Sequence, residues 1–179
     1  MSLPLLPTLD ELLNPDTQSA GVRAKVAAAA ELDPIRLFDI CWTRNGGIPH
    51  VVLPPAVTGV KANIVVMSAR FFPTGSHKVG PGYSVLREKL LSGEITQDGS
   101  TLVFPSTGNY GIGGAWVGPR AGFRSLVVLP EDMSAERFEK IAAYGAEVVK
   151  TRGSESNVKE IYDAVKELRK RPEIGRAHV

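Results

Sequence analysis

The fold is decided by the stretch Thr101-Leu102-Val103-Phe104-Pro105, which runs directly into Ser106-Thr107-Gly108-Asn109-Tyr110-Gly111. A short apolar run of this kind is typical of a strand that is covered on both faces. The hydroxyl, amide and glycine residues after it predict a loop, and the small residues from Gly111 to Ala115 predict a helix that approaches other backbone closely. The stretch therefore predicts a strand, a polar loop at its carboxyl end, and a helix.

The same alternation continues on both sides of this unit. Strands are predicted at residues 51–53, 64–67, 102–104, 126–129 and 146–149, and helices at residues 22–32, 76–91, 108–117, 134–144 and 156–171. Strands that alternate with helices imply βαβ units with right-handed crossovers. The predicted fold class is therefore α/β, with a parallel sheet flanked by helices in three layers.

Local signals refine three of these helices. Gly80-Pro81-Gly82 is expected to break the helix at 76–91 near its start. Ser134 is predicted to cap the next-to-last helix, and Gly145 to end it. The last helix is amphipathic, and its predicted buried face consists of Val158, Ile161, Val165 and Leu168.

Composition indicates a globular protein without a nucleic-acid or membrane partner. The 179 residues are 43% hydrophobic and 22% charged, with a formal net charge of +2. The sequence has no basic stripe with interleaved aromatic residues, so nucleic acid is not expected to bind. No stretch approaches the about 18 apolar residues of a membrane span, and Cys41 as the sole cysteine permits no internal disulfide. These features predict a cytoplasmic protein.

Lys78 is the first candidate for chemistry. Thr74 or Ser76 could cap a helix that begins near Ser76, which would place Lys78 in its first turn, at the positive end of the helix dipole. A lysine that forms Schiff bases must become neutral, which burial or nearby positive potential favours. This placement is consistent with a catalytic amine, but a solvated surface lysine has the same sequence signature.

The loop from Ser106 to Tyr110 is the second candidate. Open parallel sheets bind ligands at the carboxyl ends of their strands, and the N–H groups of a helix start suit an anion such as a carboxylate. The side-chain amide of Asn109 could donate to a phenolate-like oxygen. An ordinary capped helix with a glycine-rich packing face is the alternative.

Other types of site fail on spacing. Trp116 stands where a dinucleotide-binding fingerprint needs its third glycine, and Gly75 to Gly80 is not followed by the residues of a P-loop. His50, His77 and His178 are far apart in the sequence, so no metal site is expected. His77 could contact a cofactor phosphate or simply cap and pack.

Four segments together resemble the fold-type II pyridoxal-phosphate enzymes, which include cysteine synthase, cystathionine β-synthase, threonine synthase, serine/threonine dehydratase and the tryptophan synthase β chain. Pro73-Thr74-Gly75-Ser76-His77-Lys78 is similar to the lysine motif of this superfamily. Pro105 to Gly113 resembles its loop for the substrate carboxylate. Leu129 to Ser134 and Tyr144 to Val149 follow in the order and spacing of the family, so the resemblance covers roughly residues 62–155.

The resemblance implies a role for each matching residue. Lys78 matches the lysine that forms a Schiff base with pyridoxal 5′-phosphate and later moves the Cα proton of the substrate. His77, which precedes it, is a further candidate for cofactor binding. Asn109 matches the asparagine that hydrogen-bonds to the 3′-oxygen of the cofactor. The loop that grips the substrate α-carboxylate is matched by Ser106, Thr107 and Gly108, and the adjoining Asn109 and Tyr110 are further candidates for substrate binding.

The implied activity is β-elimination or β-replacement on a small α-amino acid, as in cysteine synthase or in a serine, threonine or cysteine lyase. A non-catalytic relative that binds an amino acid is the alternative from another functional class. Family analogy also implies a homodimer when the protein has its full length.

The chain departs from the family pattern at several positions. Phe72 stands where many members carry asparagine, Val79-Gly80 replaces a common Asp-Arg pair, and Tyr110 stands where threonine or histidine is frequent. The sequence also lacks the family's Gly/Thr-rich phosphate loop and its residue for the pyridine nitrogen. Truncation explains both absences.

These departures suggest an interpretation of the domain organisation. We interpret the chain as the N-terminal part of a two-domain enzyme that is inactive alone. Residues 1–60 are expected to form an N-terminal extension that contributes to the larger domain, and residues 61–173 an incomplete α/β region. Residues 174–179 resemble the translation of a sequencing-adapter oligonucleotide and are interpreted as a non-native tail. A natural polar end is the alternative.

Overall fold

The computed structural model describes residues 5–97, 100–171, 174 and 176–178. Its helices are Leu9–Leu13 (α1), Ala20–Ala28 (α2), Pro55–Thr58 (α3), Val79–Leu91 (α4), Asn109–Arg120 (α5), Ala135–Ala143 (α6) and Val158–Leu168 (α7). Its strands are His50–Leu53 (β1), Ile64–Met67 (β2), Ser100–Pro105 (β3), Arg124–Pro130 (β4), Glu147–Thr151 (β5) and Arg176–His178 (β6). Short 3-10 helices at Pro15–Thr17 and Pro34–Asp39 follow α1 and α2.

The central sheet of the described residues is parallel and has the strand order β5-β4-β3-β6. β3 pairs with β4 from Thr101 opposite Arg124 to Pro105 opposite Val128. β4 also pairs with β5, and β3 with β6, and both pairings are parallel. The prediction of an α/β fold with a parallel sheet is confirmed.

Alternating side chains of the strands build a separate core on each face of this sheet. Leu102 and Phe104 of β3 join the core with α4, α5 and α6. Val103, which lies between them and points to the opposite face, joins the core under Ile161 and Val165 of α7. Helices therefore cover both faces, as the apolar strand sequences predicted.

β1 and β2 form a separate antiparallel pair, in which His50 lies opposite Met67 and Leu53 opposite Ile64. The sequence predicted both strands, but not that they pair with each other outside the parallel sheet. The valines at positions 51, 52, 65 and 66 are each 46–56% exposed. Because exposed valines alternate on both faces of this β-hairpin, neither face is covered by the described part of the chain.

The start of α4 corrects the expected helix break. The helix begins at Val79 rather than at Ser76, and Gly80-Pro81-Gly82 lies within its first turn. The N–H groups of a first turn have no intrahelical partner, so Pro81 removes no hydrogen bond there. The prediction that this tripeptide breaks the helix is therefore wrong.

The ends of the last two helices were predicted with partial success. Ser134 is the N-cap residue of α6, although its side chain makes no capping hydrogen bond, and Gly145 follows the helix with a φ of +88°. Ile161 and Leu168 of α7 are buried, as expected. Val158 is 48% exposed, so its predicted place on the buried face is wrong.

The N-terminal segment packs onto α4 and α5. Leu12, Leu37 and Ile40 belong to the same core as these helices, and the hydroxyl of Tyr83 in α4 donates to the carbonyl of Pro7 at 2.6 Å. The predicted boundaries at residues 60 and 173 stay predictions. Within the described ranges, no helix combines the length and the apolarity needed to cross a bilayer.

The C-terminal residues are described in part. Arg176–His178 pair with β3, while Gly175 and Val179 lie outside the described residues. The interpretation of residues 174–179 as a non-native tail stays a prediction.

Candidate functional site

A tight turn leads into α4 and carries Lys78. Gly75 has a φ of +71°, which glycine adopts without strain, and its N–H donates to the carbonyl of Phe72 at 2.8 Å. The hydroxyl oxygen of Ser76 accepts a hydrogen bond from the N–H of Lys78 at 3.3 Å. Lys78 is the N-cap residue of α4. The expectation that Lys78 lies inside a first turn capped by Thr74 or Ser76 is therefore wrong: the helix begins three residues later than Ser76, and Lys78 itself is the cap.

The side chains of Lys78 and His77 are both exposed. The imidazole of His77 lies against the ring of Trp42, with ring centroids 6.2 Å apart. Of the two roles that the sequence left open for His77, packing is the one that has a visible partner among the described residues. The side chain of Lys78 is therefore accessible from solution.

The polar loop continues β3 beyond its carboxyl end. The N–H of Ser106 donates to the carbonyl of Val128 at 3.1 Å, which extends the ladder between β3 and β4 by one residue. Gly108 is the N-cap residue of α5, and its N–H donates to the hydroxyl oxygen of Ser106 at 3.2 Å. Ser106 therefore shapes the loop from within.

Backbone donors are left free at the end of this loop. In the described part of the chain, the N–H groups of Thr107, Asn109 and Tyr110 donate to no protein acceptor. They lie at the positive end of a helix of 12 residues. Such a group of donors is suited to a carboxylate or another small anion.

The side chains of Asn109 and Tyr110 point to different surroundings. Asn109 is exposed. The ring of Tyr110 packs edge-on against Phe104, with centroids 6.0 Å apart, and lines a small apolar pocket with Leu86 and Ile95. Burial raises the pKa of the Tyr110 phenol. The Tyr110 ring therefore packs towards the core, while its N–H stays in the polar loop.

Gly113 lets the lysine turn and the polar loop come together. A Cβ on Gly113 of α5 would lie 2.8 Å from the carbonyl oxygen of Lys78 and 2.9 Å from the nitrogen of Val79. On the facing side, a Cβ on Gly82 of α4 would lie 3.6 Å from the nitrogen of Gly114. Gly113 follows Asn109 by about one helical turn. The starts of α4 and α5 therefore lie side by side at one end of the molecule.

The sheet places the same loop at the carboxyl end of β3, which pairs with β4 in parallel. Ligands of open α/β sheets bind in the crevice at the carboxyl ends of the strands. The loop therefore lies on the side of the sheet where a ligand is expected.

A crevice of about 250 Å³ opens beside the loop and is lined by Pro105, Ser106, Thr107, Val158, Ile161 and Tyr162. Val158 and Tyr162, which form its α7 side, are 48% and 55% exposed. The sequence analysis did not single out Tyr162. Its spacing of four residues from Val158 was the available signal, since such residues share a helix face.

Two further residues that the sequence analysis missed, Trp42 and Arg44, contact the segment that leads into the lysine turn. The ring of Trp42 meets the ring of Phe72 edge-on, with centroids 5.0 Å apart, and Nη2 of Arg44 donates to the carbonyl of Phe71 at 3.2 Å. The signal for Trp42 was Phe72 itself, because an apolar residue within the lysine motif requires an apolar partner.

The residues present fit one half of pyridoxal phosphate. Lys78 and Asn109 are both exposed; a lysine amine has the chemistry to react with its aldehyde carbon, and a side-chain amide the chemistry to donate to its phenolate oxygen. Free N–H groups follow for the carboxylate of an amino acid. In the regions that the structure describes, no group of three or more His, Cys, Asp and Glu side chains could hold a metal ion.

Comparison with known proteins agrees with this chemistry. Cystathionine beta-synthase of Saccharomyces cerevisiae is 37% identical over 108 residues, which are 59% of this chain and 21% of that protein. Cysteine synthase of Staphylococcus aureus is 38% identical over 111 residues, which are 62% of this chain and 36% of that protein. The chain thus spans about a fifth of the length of the first relative and little more than a third of the length of the second.

The fold has counterparts among solved structures. Cysteine synthase of Entamoeba histolytica superposes with a TM-score of 0.63 at 27% sequence identity, over 75% of this chain and 40% of that chain. The model of the protein family described as "Pyridoxal-phosphate dependent enzyme" matches residues 42–178, which is more than half of the chain. The chain therefore belongs to the family of pyridoxal-phosphate dependent enzymes.

Proposed function

We propose that this chain supplies the catalytic lysine and the carboxylate loop of an enzyme for β-elimination or β-replacement on a small α-amino acid. The observation that carries the proposal is the close contact of Gly113 with Lys78, which brings the lysine turn beside the free N–H groups of the loop. The similarity to cysteine synthase and to cystathionine beta-synthase favours this class of reaction.

The loop would bind the substrate by its α-carboxylate. The N–H groups of Thr107, Asn109 and Tyr110 would donate to its oxygens, and the positive end of α5 would favour the anion. Ser106 and Gly108 would keep the loop in shape through the hydrogen bond between them. A substrate held in this way presents its Cα to the neighbouring start of α4.

Lys78 would hold the cofactor, and the amide of Asn109 would donate to its 3′-oxygen. When bound, pyridoxal phosphate withdraws electrons from the substrate Cα and makes the Cα proton removable. Lys78 would take this proton as the general base. A leaving group on Cβ then departs, and a nucleophile that adds at Cβ would convert elimination into replacement. His77 is the proposed contact to the cofactor phosphate, in competition with its packing on Trp42.

We propose that the whole protein is a cytoplasmic homodimer and that the present chain is inactive alone. The chain spans 36% of the S. aureus cysteine synthase, and its sequence lacks the family's loop for the cofactor phosphate. The uncovered hairpin of β1 and β2 supports the same proposal, since a two-stranded sheet is marginal without packing. Residues 1–60 would then form an N-terminal extension that contributes to the larger domain of the whole protein, and residues 61–173 an incomplete α/β region.

Reductive labelling tests the assignment of the lysine. The chain is incubated with pyridoxal phosphate, the adduct is fixed with borohydride, and the labelled lysines are identified by peptide mass spectrometry. We expect Lys78 to be labelled in preference to Lys61, which is also exposed. Lys78→Arg should remove the preferred label, and Lys61→Arg should leave it. Equal labelling of Lys78 and Lys61 would contradict the proposal.

A further inference from the structure

Trp42 contacts the lysine turn on both sides of Lys78. Before the lysine, its ring lies against Phe72 and His77, with centroids 5.0 Å and 6.2 Å away. After the lysine, a Cβ on Gly80 would lie 2.9 Å from Cζ2 of the same ring. A single side chain therefore limits the path of the backbone that enters α4.

The backbone that carries the ring is held by the N-terminal segment. The N–H of Trp42 donates to the carbonyl of Leu12 at 2.9 Å, and Leu12 is buried in the core. The neighbouring Thr43 donates from its hydroxyl to the carbonyl of Leu13 at 2.8 Å. The Trp42 ring therefore extends from a backbone that is held in place, and the lysine turn packs against this ring.

Gly80 gives independent support for this close approach. Its φ does not lie in the left-handed region, unlike that of Gly75, so the backbone conformation does not require glycine at this position. The nearest atoms to an added Cβ all belong to Trp42. The absence of a side chain at position 80 is thus explained by the ring.

We propose that Trp42 is the positioning residue of Lys78. The lysine side chain has no hydrogen-bond or ion-pair partner of its own among the described residues, so its direction depends on the backbone that carries it. That backbone is enclosed between Gly113 of α5 and the ring of Trp42. The inference rests on the proposed function, because it concerns the same lysine.

The test combines two substitutions that compensate each other. Gly80→Ala places a methyl group against the ring, and Trp42→Phe removes the part of the ring that contains Cζ2. We expect each single variant to lower the labelling of Lys78 relative to Lys61 by about tenfold, since a displacement of about 1 Å can slow a reaction by roughly 100-fold. The double variant should recover most of the ratio, because the methyl group fills the space that the ring leaves.

Gly82→Ala is the matched control. It lies in the same helix, and its Cβ would lie at an ordinary contact distance of 3.6 Å from its nearest neighbour. It should leave the labelling ratio unchanged. The inference is overturned if the wild-type chain prefers Lys78 and Trp42→Phe keeps that preference, or if the double variant recovers nothing.

Amide hydrogen exchange separates this inference from the proposed function. The N–H of Gly80 donates to the carbonyl of His77 at 3.0 Å, and that of Gly82 to the carbonyl of Lys78 at 3.2 Å. Trp42→Phe should speed exchange at both amides several-fold while leaving Ala121, at the far end of α5, unchanged. A ring that merely stabilised the whole fold would speed exchange at Ala121 along with Gly80 and Gly82, and a ring without either role would leave all three rates unchanged; both results would overturn the inference. A wild-type chain without preferential labelling would contradict the proposed function, and the exchange rates would still decide the role of Trp42.

Discussion

The carbonyl oxygen of Lys78 occupies the space that a side chain at Gly113 would need. A Cβ on Gly113 would lie 2.8 Å from this oxygen, a distance that real Cβ atoms essentially never show. The crossing of α4 over α5 therefore depends on glycine at position 113. The same contact sets the separation between the lysine turn and the loop that begins at Ser106.

Gly113→Ala should weaken both the fold and the proposed site. Because the added methyl group meets rigid backbone, we expect the free energy of unfolding to fall by about 1–3 kcal/mol, as for other overpacked sites. Urea denaturation measures this change, and labelling of Lys78 should fall with it. Gly21→Ala is the control, since its nearest neighbour would be the Ser19 hydroxyl at 3.9 Å. Equal stabilities of the two variants would show that α4 and α5 separate freely.

Tyr83 should make the protein lose stability in alkali. It is fully buried, its hydroxyl donates to the carbonyl of Pro7, and burial raises the pKa of its phenol above the ordinary value. The folded chain therefore keeps this proton after the unfolded chain begins to lose it, near pH ~10. Above that pH the unfolded state binds fewer protons, so the free energy of unfolding falls as pH rises.

Tyr83→Phe isolates this contribution. We expect the variant to be about 1 kcal/mol less stable at neutral pH, because the carbonyl of Pro7 loses its donor, and to show a shallower decline above pH ~10. Urea denaturation at a series of pH values gives both quantities. Tyr162→Phe serves as the control, since Tyr162 is 55% exposed. A decline of unchanged steepness in Tyr83→Phe would rule out this tyrosine as its source.

The parallel sheet could be predicted from the sequence because its strands carry the signal locally. Leu102 and Phe104 pack in the core on one face of the sheet, and Val103 packs in the core on the other face. Because both faces are buried, these residues form an unbroken apolar run. The polar loop was predictable for a similar reason, since Ser106 and Gly108 follow the strand directly. A signal that lies within about ten consecutive residues needs no knowledge of the rest of the chain.

Features that depend on distant partners were not predictable in this way. The sequences of β1 and β2 each predict a strand. No signal within either segment indicates that Val52 pairs with Val65. Trp42 lies outside any helix or strand, and its importance arises only when Gly80 is brought against its ring. Proline breaks a helix when it lies in the interior, and this predicted a break at Pro81. Pro81 instead lies two residues after the start of α4, where it is tolerated.

The exposed hairpin should promote self-association of this chain. Val65 is 53% exposed and lies opposite Val52, on a short sheet with open edges and no charged residue in β2. Val65→Thr keeps a β-branched side chain and lowers its hydrophobicity, so we expect less light scattering at a given protein concentration. Val57→Thr is the control, because Val57 is 71% exposed but lies outside the strands. Equal effects of the two substitutions would show that total exposed apolar area, and not the hairpin, drives association.

Arg120 of α5 binds the N-terminal segment through Glu31. We expect its packing to contribute more to the free energy of unfolding than its ion pair does. Its guanidinium is completely buried, lies 4.2 Å from the centre of the Trp116 ring, and donates to the carbonyl and the carboxylate of Glu31. Arg120→Lys should lower the free energy of unfolding by about 3 kcal/mol, because a lysine amine cannot stack on the Trp116 ring and also donate to both the carbonyl and the carboxylate of Glu31. Glu31→Gln should lower it by about 1 kcal/mol or less, since the Glu31 side chain is 68% exposed and its carbonyl remains an acceptor. Urea denaturation of both variants gives the comparison, and a larger loss in Glu31→Gln would mean that the ion pair, and not the stacked and hydrogen-bonded guanidinium, holds this segment.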